Sequence, residues 1–179
     1  MHIRFIHASC VEQSVDVIVN AANKYLLAGD GVCGAIFQKA GYEQLTEACS
    51  RIPTPLEDGD AVITPAFELT NAKYIIHAVG PNFSLIPNHF DTLMNAYYHS
   101  LELAKEYQLH SIAFPLISSG IYAGNLEHPS IESYKQCYKA YQLFQKTYPD
   151  YDIDVVVCCY SESSYLEIKN WEESYGNRN

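Results

Sequence analysis

The chain has 179 residues, 48% of them hydrophobic, which suits one domain with a substantial core and excludes a disordered chain. Its net charge is −10 with only 11 lysines and arginines and no basic cluster. That excludes a basic nucleic-acid footprint but leaves room for a small anion held by backbone amides.

Residues 3–7 read as a short opening strand, and residues 15–20 as a nearly continuous apolar strand covered on both faces. A helix is predicted over 31–40, with Asp30 at its N-cap, and a second short helix over 42–50 after Gly41. Strands follow over 60–67 and 74–79. Leu93, Tyr97, Leu101 and Ala104 recur at helical spacing within a helix over 90–107. Residues 111–117 read as another buried strand. Residues 131–148 form a long helix whose Tyr134, Tyr138 and Tyr141 stripe reads as core. A strand over 154–160 and a helix over 163–175 close the chain.

Buried strands alternating with helices imply a single α/β domain over residues 1–179, a three-layer α/β/α sandwich. The early strands, with no helix between them, point to a mixed, mostly parallel sheet. No bilayer-length apolar stretch and no signal peptide are read, so no membrane association is expected. The six cysteines form no C-x-x-C and no zinc spacing. They are expected to be reduced, mostly buried thiols of a cytoplasmic protein, with no metal and no cofactor. Adjacent Cys158 and Cys159 must face opposite sides of their strand.

The most informative stretch is Val17-Ile-Val-Asn-Ala-Ala-Asn23 followed by Leu26-Leu-Ala-Gly-Asp-Gly-Val-Cys-Gly-Ala-Ile36. An apolar strand, a glycine-rich loop and a helix start make an anion pocket, because backbone N–H groups and the helix N-terminus both face the ligand. Asn23 offers an amide to a sugar hydroxyl beside that anion. Gly29-Asp-Gly-Val-Cys-Gly34 also matches G-x-G-x-x-G, the dinucleotide fingerprint. The required context is missing: residues 24–28 separate strand from loop, and the acids Glu57 and Asp58 lie in a turn-like stretch.

In such sheets ligands bind beyond the carboxyl ends of the strands. The second loop expected there is Ser118-Ser-Gly-Ile-Tyr-Ala-Gly124, and Tyr160 ends the last strand. Ser118 and Ser119 lack the G-x-S-x-G elbow of a serine hydrolase and read as turn and phosphate contacts. His77, inside an apolar run, reads as a satisfied core histidine. Cys33, in a helix first turn, reads as a small loop residue rather than a nucleophile.

Taken in order, these segments resemble the macro domain family from residue 3 to residue 167. Four motifs carry the resemblance: residues 17–23, residues 29–36, His77-Ala-Val-Gly-Pro81 and Pro115-Leu-Ile-Ser-Ser-Gly-Ile-Tyr122. Macro domains bind ADP-ribose, and many hydrolyse its esters on protein carboxylates or O-acetyl-ADP-ribose. The resemblance implies Asn23 at the distal ribose and the Gly31, Val32 and Cys33 backbone along the ribose and pyrophosphate. It implies Ser118, Ser119, Gly120, Ile121 and Tyr122 around the diphosphate, Tyr122 also bordering the distal ribose, and Tyr160 against adenine. Ser9 stands where the family usually has an acid toward the adenine amine, and Cys10 beside it is counted with the ligand contacts. Asn20 is expected to hold the loop backbone.

Cys33 replaces the aspartate of the MacroD-type motif, as in some viral macro domains. Candidate catalytic residues are Asn23, Asp30 and Tyr122, with Asp30 able to orient a water. The resemblance leaves three functions open: an ADP-ribosyl ester hydrolase or O-acetyl-ADP-ribose deacetylase, a binding module without turnover, and an ADP-ribose 1″-phosphate phosphatase. The implied partners are ADP-ribose, its derivatives and ADP-ribosylated protein.

Overall fold

A computed structural model describes residues 2–175. The strands are β1 (His2–His7), β2 (Val17–Ala22), β3 (Ala61–Pro65), β4 (Tyr74–Val79), β5 (Ser111–Pro115) and β6 (Asp154–Cys159). The helices are α1 (Gly31–Ala40), α2 (Tyr42–Ser50), α3 (Phe90–Glu106), α4 (Pro129–Thr147) and α5 (Glu162–Tyr175). Short 3-10 turns at Cys10–Glu12 and Ile121–Ala123 have no counterpart in the sequence reading.

The strands form one sheet in the order β1-β6-β5-β2-β4-β3. Every neighbouring pair is parallel except β3 and β4, which run antiparallel. The sheet is therefore mixed as expected, but for a different reason: β1 and β2 both run with their neighbours, and the short β3–β4 connection reverses the edge strand. One apolar face packs α3, α4 and α5, the other α1 and α2. Val17, Ile18 and Val19 are all fully buried, which only a strand covered on both faces allows. Cys158 and Cys159 face opposite layers, as their adjacency requires.

Most element ends shift by one or two residues, and three elements show why. β2 starts and ends two residues later than the apolar run suggests, so Asn20 lies inside the strand. β5 stops at Pro115, because the following residues turn and Ser118 takes a positive φ of 60°. α4 begins at Pro129, whose missing N–H costs nothing in a helix first turn. In the tyrosine stripe, Tyr134 and Tyr141 are buried but Tyr138 is 41% exposed, because it lies at the edge of the face turned to the sheet.

Candidate functional site

β2 and β5 are neighbours, yet the chain leaves them toward opposite faces, to α1 after β2 and to α4 after β5. Such a switch point opens a crevice at the carboxyl ends of the strands. The two strands pair only through Val17–Ile112 and Ile18–Ala113 and then part. Cys10 plugs the gap: its thiol lies 3.4 Å from the Ala113 carbonyl and 3.9 Å from that of Val19, one on each strand.

Above the gap lie two adjoining cavities of about 440 and 450 Å³. They share Ala21, Gly31, Val32, Leu116 and Gly120, and so form two chambers of one cleft with a common waist. The first chamber reaches Ser9, Cys10, Cys158, Tyr160 and the serines at the start of α5. The second reaches Asn23, Asp30, Cys33, Ser118 and Tyr122.

The loop between β2 and α1 is held from below. Asn23 Nδ2 donates to the Leu27 carbonyl at 2.9 Å, and its Oδ1 accepts from the N–H groups of Tyr25 and Leu27, both at 3.1 Å. One Nδ2 hydrogen is left over for a ligand. The Cys33 thiol also reaches the Leu27 carbonyl, at 3.7 Å, and its sulfur accepts from Asn20 Nδ2 at 3.7 Å. Asn20 therefore holds this loop through the Cys33 side chain, not through the backbone as expected. Asn20 also donates to His77 Nδ1 at 3.1 Å, so neutral His77 carries its proton on Nε2 and gives it to Thr64 Oγ1 at 3.0 Å. His77 is fully buried, and burial pulls its pKa down to about 4. It is the satisfied core histidine read from the sequence. Burial pushes the Cys33 thiol up, against the donor from Asn20, which weakens it as a nucleophile.

Asp30 stands at the N-cap of α1 in extended conformation, but its carboxylate makes no capping bond. Gly31 follows with a positive φ of 61°, which turns the entry to the helix and leaves that carboxylate out of reach of the first-turn amides. The N–H groups of Gly31, Val32 and Cys33 consequently donate to nothing among the described residues.

Across the waist, the loop after β5 is held by a closed ring of hydrogen bonds. Ile117 N–H donates to Tyr97 Oη at 2.9 Å, Tyr97 O–H donates to Ser133 Oγ at 2.6 Å, and Ser133 O–H donates to the Ile117 carbonyl at 2.5 Å. Ser118 O–H donates to the Pro81 carbonyl at 2.7 Å, and Ser119 O–H to that of Leu116 at 2.7 Å. Gly80 lies directly beneath: a Cβ there would sit 2.3 Å from Ser118 Oγ and 2.4 Å from Ile117 Cγ2. The His77–Pro81 motif is thus the bed of this loop, not a ligand contact. With its side chains so engaged, the loop leaves the N–H groups of residues 118–122 without acceptors among the described residues. Two sets of unpaired amides thus lie on the two loops that border the waist. That is a cradle for a doubly charged anion such as a diphosphate.

The Macro domain family model matches residues 19–129, more than half of the chain. The chain belongs to the macro domain family. An uncharacterized protein of Fusobacterium nucleatum is 52% identical over 109 residues, 60% of this macro domain and 61% of that relative, so the match spans less than two thirds of the relative's length. The Oceanobacillus iheyensis macrodomain with ADP matches this macro domain at a TM-score of 0.86 and 32% identity, over 99% of this chain and 93% of that one. The Trypanosoma brucei macrodomain in complex with ADP-ribose matches at 0.80 and 28%, over 95% and 68%.

Every site residue inferred from the sequence lines one of the two chambers of this macro domain. Ser9, Cys10, Ser119 and Tyr160 lie in the first; Asn23, Asp30, Cys33, Ser118, Ile121 and Tyr122 lie in the second; Gly31, Val32 and Gly120 lie in both. Among the described residues the Ser9 hydroxyl has no partner and the ring of Tyr160, 79% exposed, touches no other ring, so both are open to a ligand. Sequence reasoning missed Leu116 at the waist, Ser164 in α5, and the supports Tyr97 and Ser133. The buried tyrosine on α3 carried the signal, since its hydroxyl needs a partner. Among the described residues no three His, Cys, Asp or Glu side chains cluster in a way that could hold a metal ion. No helix among them is long and apolar enough to cross a membrane.

Proposed function

We propose that this macro domain binds ADP-ribose and hydrolyses esters at its distal ribose, on protein carboxylates or in O-acetyl-ADP-ribose. The observation that carries the reading is the pair of unpaired amide arrays at the waist between two chambers, each of a size to take one end of a dinucleotide-like ligand. The ligands named for the Oceanobacillus and Trypanosoma macrodomains support it. The diphosphate lies at the waist. Adenosine enters the first chamber, with Tyr160 against the base and the Ser9 hydroxyl accepting from its amine. The distal ribose enters the second, beside Asn23, Asp30, Cys33 and Tyr122.

Hydrolysis adds water across the ester, releasing ADP-ribose and a free carboxylic acid. The attacking water approaches the ester carbonyl or the anomeric carbon, and Asp30 is the carboxylate available to orient it. Most of the acceleration comes from holding the diphosphate and ribose in one pose. All six cysteines are unpaired and buried, which supports a reducing compartment such as the cytoplasm.

A second reading, recognition without turnover, draws on the engagement of Asn23 by its own loop and on the raised Cys33 thiol. Incubation with a glutamate-linked ADP-ribosylated protein and with O-acetyl-ADP-ribose separates the two. Release of ADP-ribose, followed by mass spectrometry, is the expected result. Tight binding without release would establish the binding module instead.

A further inference from the structure

Among the described residues the cleft offers its anion no cationic side chain. Neither chamber is lined there by lysine, arginine or histidine, and the one charged group is the carboxylate of Asp30, in the second chamber. That carboxylate caps no helix amide and pairs with no lysine or arginine among the described residues. It is exposed and faces the second chamber. Next to it stand the unpaired N–H groups that open α1. On their own those amides would welcome any negative group, including one attached to the distal ribose. Asp30 opposes that preference in the second chamber, which it lines, and not in the first, which it does not.

We infer that Asp30 is a specificity-determining residue: it selects substrates whose distal ribose carries a neutral acyl group and disfavours those carrying a phosphate there. The inference rests on the ADP-ribose reading above and narrows its substrate class. An ester is uncharged at the reacting end, so it meets no repulsion from Asp30. A terminal phosphate brings a charge of about −1.5 to −2 into the same chamber, and at separations of a few ångströms with water-like screening the repulsion is worth roughly tenfold in affinity. The same asymmetry acts on the product. The carboxylic acid freed by hydrolysis ionises at neutral pH, and its new charge is repelled by Asp30 and leaves.

The test is calorimetric titration of the whole chain with ADP-ribose and with ADP-ribose 1″-phosphate, at low and high salt. Wild type should bind the 1″-phosphate about tenfold more weakly than ADP-ribose at low salt, with the gap narrowing as salt screens the exposed charge. Asp30→Asn should bring the two affinities to within about threefold and abolish the salt dependence of their ratio. Cys33→Asp, which adds a second carboxylate to the chamber, should widen the gap. An equal ratio in wild type and Asp30→Asn would overturn the inference. So would wild type binding both ligands equally. Failure of wild type to bind ADP-ribose at all would instead remove the underlying reading, and this one with it.

Discussion

Replacing Gly80 by alanine should weaken ligand binding although Gly80 lines neither chamber. The added Cβ would lie 2.3 Å from Ser118 Oγ and 2.4 Å from Ile117 Cγ2, about an ångström short of ordinary contact. Neither neighbour can retreat freely. Ile117 is held at its N–H by Tyr97 and at its carbonyl by Ser133, and Ser118 is tied to the Pro81 carbonyl. Overpacking of this kind costs about 1–3 kcal/mol. The Ser118–Pro81 hydrogen bond, worth about 1 kcal/mol, goes with it. The sum, about 2–4 kcal/mol, corresponds to a fall in Tm of roughly 5–15 °C for a chain of this size. The loop must shift by about an ångström, and its amides shift with it. Losing one amide–phosphate bond, about 1.5–3 kcal/mol, weakens affinity tenfold or more. Thermal unfolding gives the first quantity. Calorimetric titration with ADP-ribose, at a temperature where the variant is fully folded, gives the second. Wild-type Tm together with wild-type affinity would refute the idea that the His77–Pro81 segment supports the loop.

Three further outcomes follow from the same geometry. Gly120→Val should abolish ADP-ribose binding with Tm unchanged within a few degrees, because a Cβ at Gly120 meets nothing within 4 Å and its side chain would project into the waist; retained affinity would mean the diphosphate lies elsewhere. Tyr97→Phe should cost about 1–3 kcal/mol in urea unfolding and weaken binding as well, since it strands the buried Ile117 N–H; an unchanged midpoint would show that the ring of hydrogen bonds is dispensable. Stability should fall as pH drops from about 6.5 to about 4. Over that window the unfolded chain takes up a proton on residue 77 that buried His77 refuses, at up to about 1.4 kcal/mol per pH unit, before the dependence levels off below about 4. Urea titrations across that range should lose about 3 kcal/mol from this source in wild type and not in His77→Gln.

Much of this was legible in the chain because local and global signals agree. The run from Val17 to Val19 is apolar without alternation, and only a strand covered on both faces gives that pattern. The glycine-rich loop and the Ser-Ser-Gly loop were readable as anion contacts because the chemistry uses backbone amides, which glycines and turns advertise. Side-chain supports were not readable, because they join residues far apart in sequence. Nothing local pairs Asn20 with His77 and Cys33, or Tyr97 with Ser133. Asp30 shows the limit of a positional rule. Its residue type and place predict a helix cap, but the positive φ of Gly31 turns the backbone and leaves the carboxylate in the cleft. The tyrosine stripe fails in the same way, since helical spacing cannot tell where the edge of a buried face falls, and Tyr138 lies on that edge.

The waist of the cleft decides which ligand this macro domain takes, and calorimetric titration with ADP-ribose, ADP and NAD tests it most directly. Unpaired amides on both loops at the waist, with a chamber on each side, predict saturable binding of ADP-ribose, tighter than that of ADP, which leaves the second chamber empty, and tighter than that of NAD, whose nicotinamide ring must find room on the anomeric carbon of the distal ribose. Absence of ADP-ribose binding at millimolar ligand would contradict a diphosphate site at the waist, leaving a macro domain fold whose pocket serves another ligand.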